Sequence, residues 1–91
     1  MDLLSANIQF IPLQSEDAMA AVDQAISLIQ HASVSYEVGP FGTSVEGDVD
    51  AVNDLIRKLQ KSTIAKEFLL NVQYHVGGEK LSNAEKVAKF R

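Results

Sequence analysis

Apolar and polar positions alternate from Asn7 to Leu13, with Ile8 and Phe10 on one side and Asn7 and Gln9 on the other. That period of two predicts a strand over residues 6–12, closed by Pro12, which cannot donate to a ladder and belongs at a strand end or an edge. The period then lengthens. Ala18, Val22, Ala25, Ile26 and Ile29 recur at helical spacing, with Asp23, Gln24, Ser27 and Gln30 off the stripe and Met19 and Leu28 broadening it. Ser15 is the expected N-cap, with Glu16 and Asp17 in a first turn that favours negative charge. His31 falls in the last turn, where a helix-end role outweighs metal binding.

Two short alternating runs follow, Val34 to Val38 and Thr43 to Glu46, on either side of Gly39-Pro40-Phe41-Gly42. This is the form of a β-hairpin with a four-residue loop. Gly39 and Gly42 are expected there first for loop geometry and only secondarily for ligand approach. Gly47-Asp48 stops the strand and offers Asp48 as the next N-cap. Val52, Leu55, Ile56 and Leu59 form a second helical stripe that ends near Lys61 to Thr63, and Asp54 stands four residues before Lys58 in a supporting arrangement. Phe68 to Val76 alternates again, putting Phe68, Leu70, Val72 and Tyr74 opposite Leu69, Asn71, Gln73 and His75, until Gly77-Gly78 ends the run. In the tail, Ser82-x-x-Glu85 is a capping-box pattern. A helix that short does not persist alone, so it should dock through Leu81, Ala84, Val87 and Phe90 on its own sheet or on a neighbouring chain.

The predicted order is β-α-β-β-α-β plus a short terminal helix, the ferredoxin-like α+β arrangement. Its four-stranded antiparallel sheet carries both main helices on one face, with the first and third strands central. Residues 1–91 then form one domain, since 91 residues are too few for two independent cores. Parity turns Val34, Tyr36, Val38 and Val45 towards the helices together with Ile8, Phe10 and the apolar side of the last strand. The opposite face receives Asn7, Gln9, Ser35, Glu37, Ser44, Glu46, Asn71, Gln73 and His75, which are amides, hydroxyls, one imidazole and two acids with no Lys or Arg. Solvent alone accounts for such a face. Contact with an uncharged or cationic ligand, or with another subunit, accounts for it equally well.

Composition removes several classes of function. The net charge of −4 argues against a nucleic-acid surface, which needs clustered Lys and Arg. The open face also lacks the exposed aromatics with which ferredoxin-like sheets bind RNA. Without cysteine there is no disulfide framework, thiolate metal site or Cys nucleophile. No secretion signal is read at Met1 to Ala6, and no apolar stretch reaches the roughly 18 residues of a membrane span. A cytoplasmic location is the expectation, with no cofactor. Paired carboxylates Glu37 and Glu46 raise acid/base catalysis, but no nucleophile motif accompanies them. His75 with Glu46 is a weak metal pair. An anion-binding Arg near the end of the first strand, as acylphosphatase-type chemistry requires, is missing from Pro12 to Ser15.

The run Tyr36-Glu37-Val38-Gly39-Pro40 followed by Thr43-Ser44-Val45-Glu46-Gly47 resembles the signature of the thiamine-binding, YkoF-like family of small ferredoxin-like proteins. Pro12-Leu13 and the tail Glu85 to Arg91 extend the resemblance over nearly the whole chain. It implies a non-enzymatic protein that binds thiamine or its hydroxymethylpyrimidine portion and associates as a dimer or tetramer. Carried over by position, the ligand-binding residues would be Tyr36, Glu37, Gly39, Thr43, Ser44 and Glu46. Ser44 departs from a more usual Thr and keeps the hydroxyl. The chemistry suits the implication: a Glu accepts from the exocyclic amine of an aminopyrimidine or faces a thiazolium, and a hydroxyl or the Gly39 N–H donates to a ring nitrogen. Tyr36 has two readings, a ring or cation contact and packing in the core, and parity favours the second.

Overall fold

The computed structural model describes residues 3–91. Met1 and Asp2, the start of the segment read for a secretion signal, lie outside the described residues. The elements are β1 (Leu3–Gln14), α1 (Ala18–Gln30), β2 (Ser35–Val38), β3 (Thr43–Asp48), α2 (Val49–Gln60), β4 (Glu67–His75), and α3 (Asn83–Val87), which runs on into a 3-10 turn at Ala88–Phe90. The four strands form one antiparallel sheet in the order β2-β3-β1-β4. The ferredoxin-like arrangement expected from the sequence is therefore the one observed, with β1 and β3 central.

Cross-strand register decides which side chains share a face. Tyr36, Val45, Ala6 and Tyr74 stand in one row, and Val38, Thr43, Ile8 and Val72 in the next. These rows face the helices. Leu4, Ala6, Ile8 and Val45 pack there against Ala25 and Ile29 of α1 and Val52, Leu55, Ile56 and Leu59 of α2. Val45, Val52 and Leu59 are completely buried, and each such side chain stabilises the fold by about 1.5 to 3 kcal/mol. Phe10 stacks on Phe68 at the edge of this core, ring centroids 4.6 Å apart.

Several expectations are corrected. β1 is longer than predicted at both ends, and β3 continues through Gly47 to Asp48 because Leu3 and Leu4 pair with them. Pro12 lies within β1, but β3 pairs β1 only as far as Ile8, so this stretch is an edge on its β3 side; a bulge follows between Pro12 and Gln14. The cap of α1 is Asp17 instead of Ser15, its carboxylate accepting from the Ala20 N–H at 3.1 Å. The buried stripe of α1 is rotated to Ala21, Ala25 and Ile29, with Ala18 exposed, since small alanines let the helix lie close on the sheet. Asp48 is the N-cap of α2 but makes no side-chain cap bond. Asp54 pairs with Arg57 at 3.0 Å in place of Lys58. Tyr36 lies on the helix face as parity requires, yet it is 44% exposed because β2 is an edge strand that the helices do not cover. His31 has the helix-end role, its Nδ1 lying 2.7 Å from the Ser27 carbonyl.

Candidate ligand-binding site

The rows that face away from the helices read Ser35–Glu46–Ser5–His75 and Glu37–Ser44–Asn7–Gln73 across β2, β3, β1 and β4. Strict alternation along each strand places them there, as the sequence indicated. What the sequence did not indicate is that the tail lies across this face. The capping box forms as expected, the Ser82 hydroxyl accepting from the Glu85 N–H at 3.1 Å and the Glu85 carboxylate from the Ser82 N–H at 3.0 Å. On the chain's own sheet, however, the docking is mainly polar. Leu81, Ala84 and Phe90 are exposed, and Val87 is half-buried.

Glu46 is the anchor. Its Oε2 accepts from the Ser5 hydroxyl at 2.5 Å, from the Asn83 N–H at 3.1 Å and from Lys80 Nζ at 3.4 Å. Lys80 Nζ also donates to Ser5 Oγ at 2.6 Å, and the Asn83 amide donates to the Val45 carbonyl at 3.0 Å. The side chains of Lys80 and Glu46 are 5% and 10% exposed, so this is a buried, hydrogen-bonded ion pair. Burial pushes the Glu46 carboxyl up, but the hydrogen bonds from Ser5 and Asn83 and the Lys80 ammonium outweigh it and hold the group below its ordinary value. Glu37, two residues along the neighbouring strand pair, faces Arg91 at the surface. Both acids of the hairpin thus bind the tail. The tail in turn brings Lys80, Lys86 and Arg91 over a face whose strands supply no cation, correcting the expectation that this surface lacks Lys and Arg.

Two clefts result, one on each side of the line from Ser44 to Asn83. A cleft of about 250 Å³ is lined by Ser35, Glu37, Ser44 and Glu46 below and by Asn83, Ala84 and Val87 above. A second, of about 410 Å³, lies over β1 and β4 between Asn7, Gln73, His75 and Lys86. Here Lys86 Nζ sits 2.6 Å from His75 Nδ1; an ammonium only donates, so the lone pair belongs to Nδ1 and the ring proton to Nε2. His75 and Glu46 flank Ser5 on different strands and each faces a lysine. Among the described residues no group of three or more His, Asp or Glu is placed to hold a metal ion.

The six residues proposed from sequence divide between surfaces. Glu37, Ser44 and Glu46 meet in the acidic cleft. Thr43 is buried on the helix side, and with Gly39 it lines a separate, largely apolar cavity of about 270 Å³ between the hairpin loop and Val22, Ile26 and Ile29. Tyr36 contributes to the wall of the acidic cleft, although the register turns its ring to the helix side. Gly39 and Gly42 close the loop with an N–H to carbonyl bond of 2.8 Å, and neither has a positive φ. Gly42 is required by close approach instead: a Cβ there would lie 2.9 Å from the Asn7 amide and 3.1 Å from the Ile8 carbonyl. A larger hollow of about 620 Å³ by Gln14, Asp17 and Lys66 contains none of the six. Ser5, Lys80, Asn83, Lys86 and Arg91 were not foreseen. Ser5, a hydroxyl beside a run of buried apolar residues, was the one visible signal.

Fold and site together define a ferredoxin-like α+β protein whose clefts open on the sheet face away from the helices. Residues 6–91 match the model of the family described as "Thiamine-binding protein", and the chain belongs to that family. A structure from Thermotoga maritima, assigned provisionally to thiamine biosynthesis or salvage, is 30% identical with a TM-score of 0.87 and covers 98% of this chain and 99% of its own. A Streptococcus pneumoniae structure is 33% identical at a TM-score of 0.80, covering 97% and 99%. A UPF0045 protein of Clostridium perfringens is 29% identical over the full length of both chains. The family is named for binding, and no helix among the described residues is long and apolar enough to cross a membrane.

Proposed function

We propose that this chain binds thiamine or its hydroxymethylpyrimidine portion without catalysing a reaction, as a dimer or tetramer in the cytoplasm. The observation that carries the reading is the state of Glu46. Among the described residues all its carboxylate hydrogen bonds go to Oε2, while the side chain lines the acidic cleft, which leaves Oε1 to accept from a ligand amine. The same contacts keep the group ionised, and charge-assisted bonds of this kind contribute roughly 1.5 to 3 kcal/mol each. Glu37 stands at the mouth of the cleft in an exposed pair with Arg91, and such pairs are worth only about 0 to 1 kcal/mol, so a cationic ligand can displace the arginine. The Ser44 hydroxyl, cross-strand from Glu37 and in the lining of the same cleft, has no hydrogen-bond partner among the described residues and can donate to a ring nitrogen.

A second reading, an assembly module without a small ligand, has one observation in its favour. The hairpin exposes Tyr36, Val38 and Phe41, the last 83% exposed, at an open sheet edge, and a second copy would cover them. Titration calorimetry with thiamine and with hydroxymethylpyrimidine, on wild type and on Glu37→Gln and Glu46→Gln, separates the two. Heat with either compound, weakened in both variants, supports the binding site. No heat on a well-folded oligomer favours the assembly module, and sedimentation equilibrium supplies the oligomeric state. Unchanged affinity in both variants would remove these residues from the site.

A further inference from the structure

The cleft beside Lys86 has a different chemistry from the acidic one it adjoins. The ion pairs of the described residues join Arg57 to Asp54, Lys80 to Glu46 and Arg91 to Glu37, and none includes Lys86. Lys86 Nζ faces only neutral partners, His75 Nδ1 at 2.6 Å and Asn83 Oδ1 at 3.4 Å. No Asp or Glu lines this cleft, while the amides of Asn7 and Gln73 and the hydroxyl of Ser44 do. An ammonium without a counter-charge, surrounded by neutral donors in a hollow of about 410 Å³, is suited to an anion. Lys80 is already neutralised by Glu46, and among the described residues that line this cleft Lys86 supplies the ammonium.

Ser44 and Asn83 border both clefts, so the two adjoin along that line. From β2 to β4 the face spans three strand spacings, about 14 Å at the usual separation of neighbouring strands. Acidic groups stand at the β2 end and the lysine at the β4 end. A ligand lying across the rows Glu37–Ser44–Asn7–Gln73 and Ser35–Glu46–Ser5–His75 would have the Glu37 and Glu46 carboxylates on the β2 and β3 side and the Lys86 ammonium, beside His75, on the β4 side.

We infer that the cleft beside Lys86 is a phosphate subsite, and that the ligand taken by this face carries a cationic or amine-bearing ring at one end and a phosphate ester at the other. The inference rests on the proposed thiamine site and specifies its ligand as the phosphorylated form over the free alcohol. The phosphate oxygens accept from Lys86 Nζ and from the Asn7 and Gln73 amides. The ring end uses Glu37 and Glu46.

Calorimetry with thiamine, thiamine monophosphate and inorganic phosphate, on wild type, Lys86→Gln and Lys86→Arg, tests it. The expected result is a monophosphate affinity about tenfold above that of thiamine in wild type, as one charge-assisted contact implies. Lys86→Gln should abolish that preference, leaving thiamine affinity unchanged as the sign of an intact fold, and Lys86→Arg should keep it. Equal affinities in wild type, or a preference that survives Lys86→Gln, would overturn the phosphate subsite and leave the thiamine reading standing. Binding of inorganic phosphate that depends on Lys86, with no heat from thiamine, would support the subsite and remove the thiamine reading. Silence from all three compounds overturns both.

Discussion

Glu46 and Lys80, one on a central strand and the other in the loop before α3, form a buried ion pair with Ser5 Oγ bonded to both. It is the joint by which the tail is held to the sheet. Removing one partner of such a pair leaves an uncompensated buried charge, which costs about 3 to 5 kcal/mol. Lys80→Met should therefore lower the denaturation midpoint strongly in urea unfolding followed by circular dichroism. Glu46→Gln combined with Lys80→Met should cost less than Lys80→Met alone, because no lone charge remains. A double variant as unstable as the single one would show that packing, and not charge, holds the joint.

The same joint gives the tail a pH dependence of definite sign. The folded Glu46 carboxyl titrates below its ordinary value of 4.5, so it binds protons less readily folded than unfolded. Its stabilisation is therefore complete above that value and is lost as the pH falls through the lower, folded pKa. Glu85, held down by its hydrogen bonds with Ser82, shifts in the same direction. Amide exchange protection at Asn83 should hold through neutral and mildly acidic pH and fall below 4.5. Glu46→Gln should flatten most of that fall, and a profile identical to wild type would assign the effect to Glu85.

Glu37 should separate binding from stability. Its pair with Arg91 is more than half exposed on both sides, so Glu37→Gln is expected to change the unfolding free energy by less than about 1 kcal/mol. Thiamine affinity should fall about tenfold in the same variant, by the strength of one charge-assisted bond. A large stability loss in denaturant titrations would contradict the surface role.

Gly42 is constrained by a neighbour and not by its backbone angles. Gly42→Ala places a methyl against the Asn7 amide, which can swing aside, and against the Ile8 carbonyl, which is fixed in the β1 ladder. The expected cost is about 1 to 2 kcal/mol. Asn7→Ala should recover part of it in a double-mutant cycle, and strict additivity of the two changes would locate the strain elsewhere.

Much of the architecture was legible from local pattern. The α2 stripe of Val52, Leu55, Ile56 and Leu59 is buried as its spacing predicts, and the capping box at Ser82 and Glu85 forms. Alternation in β2 to β4 sorted Glu37, Ser44 and Glu46 onto one face because a strand has no other way to place successive side chains. α1 differs from the pattern in both cap and stripe, since Ser15 and Asp17 are both good caps and an alanine-rich helix offers more than one buried face. Thr43, Gly39 and Tyr36 stand with the acids only through the family resemblance; the pleat turns Thr43 to the other side, and the Tyr36 ring with it, as parity indicates.

By itself the sequence determined the order of elements, the sheet's two faces and the hairpin acids, because period and turn chemistry act between residues a few positions apart. Only the tertiary structure decided what those acids face. Lys80 reaches Glu46 across 34 positions and Arg91 reaches Glu37 across 54. Polar contacts of that range leave no periodic trace in a chain, and they are fixed by where burial makes an unpaired charge too costly to leave.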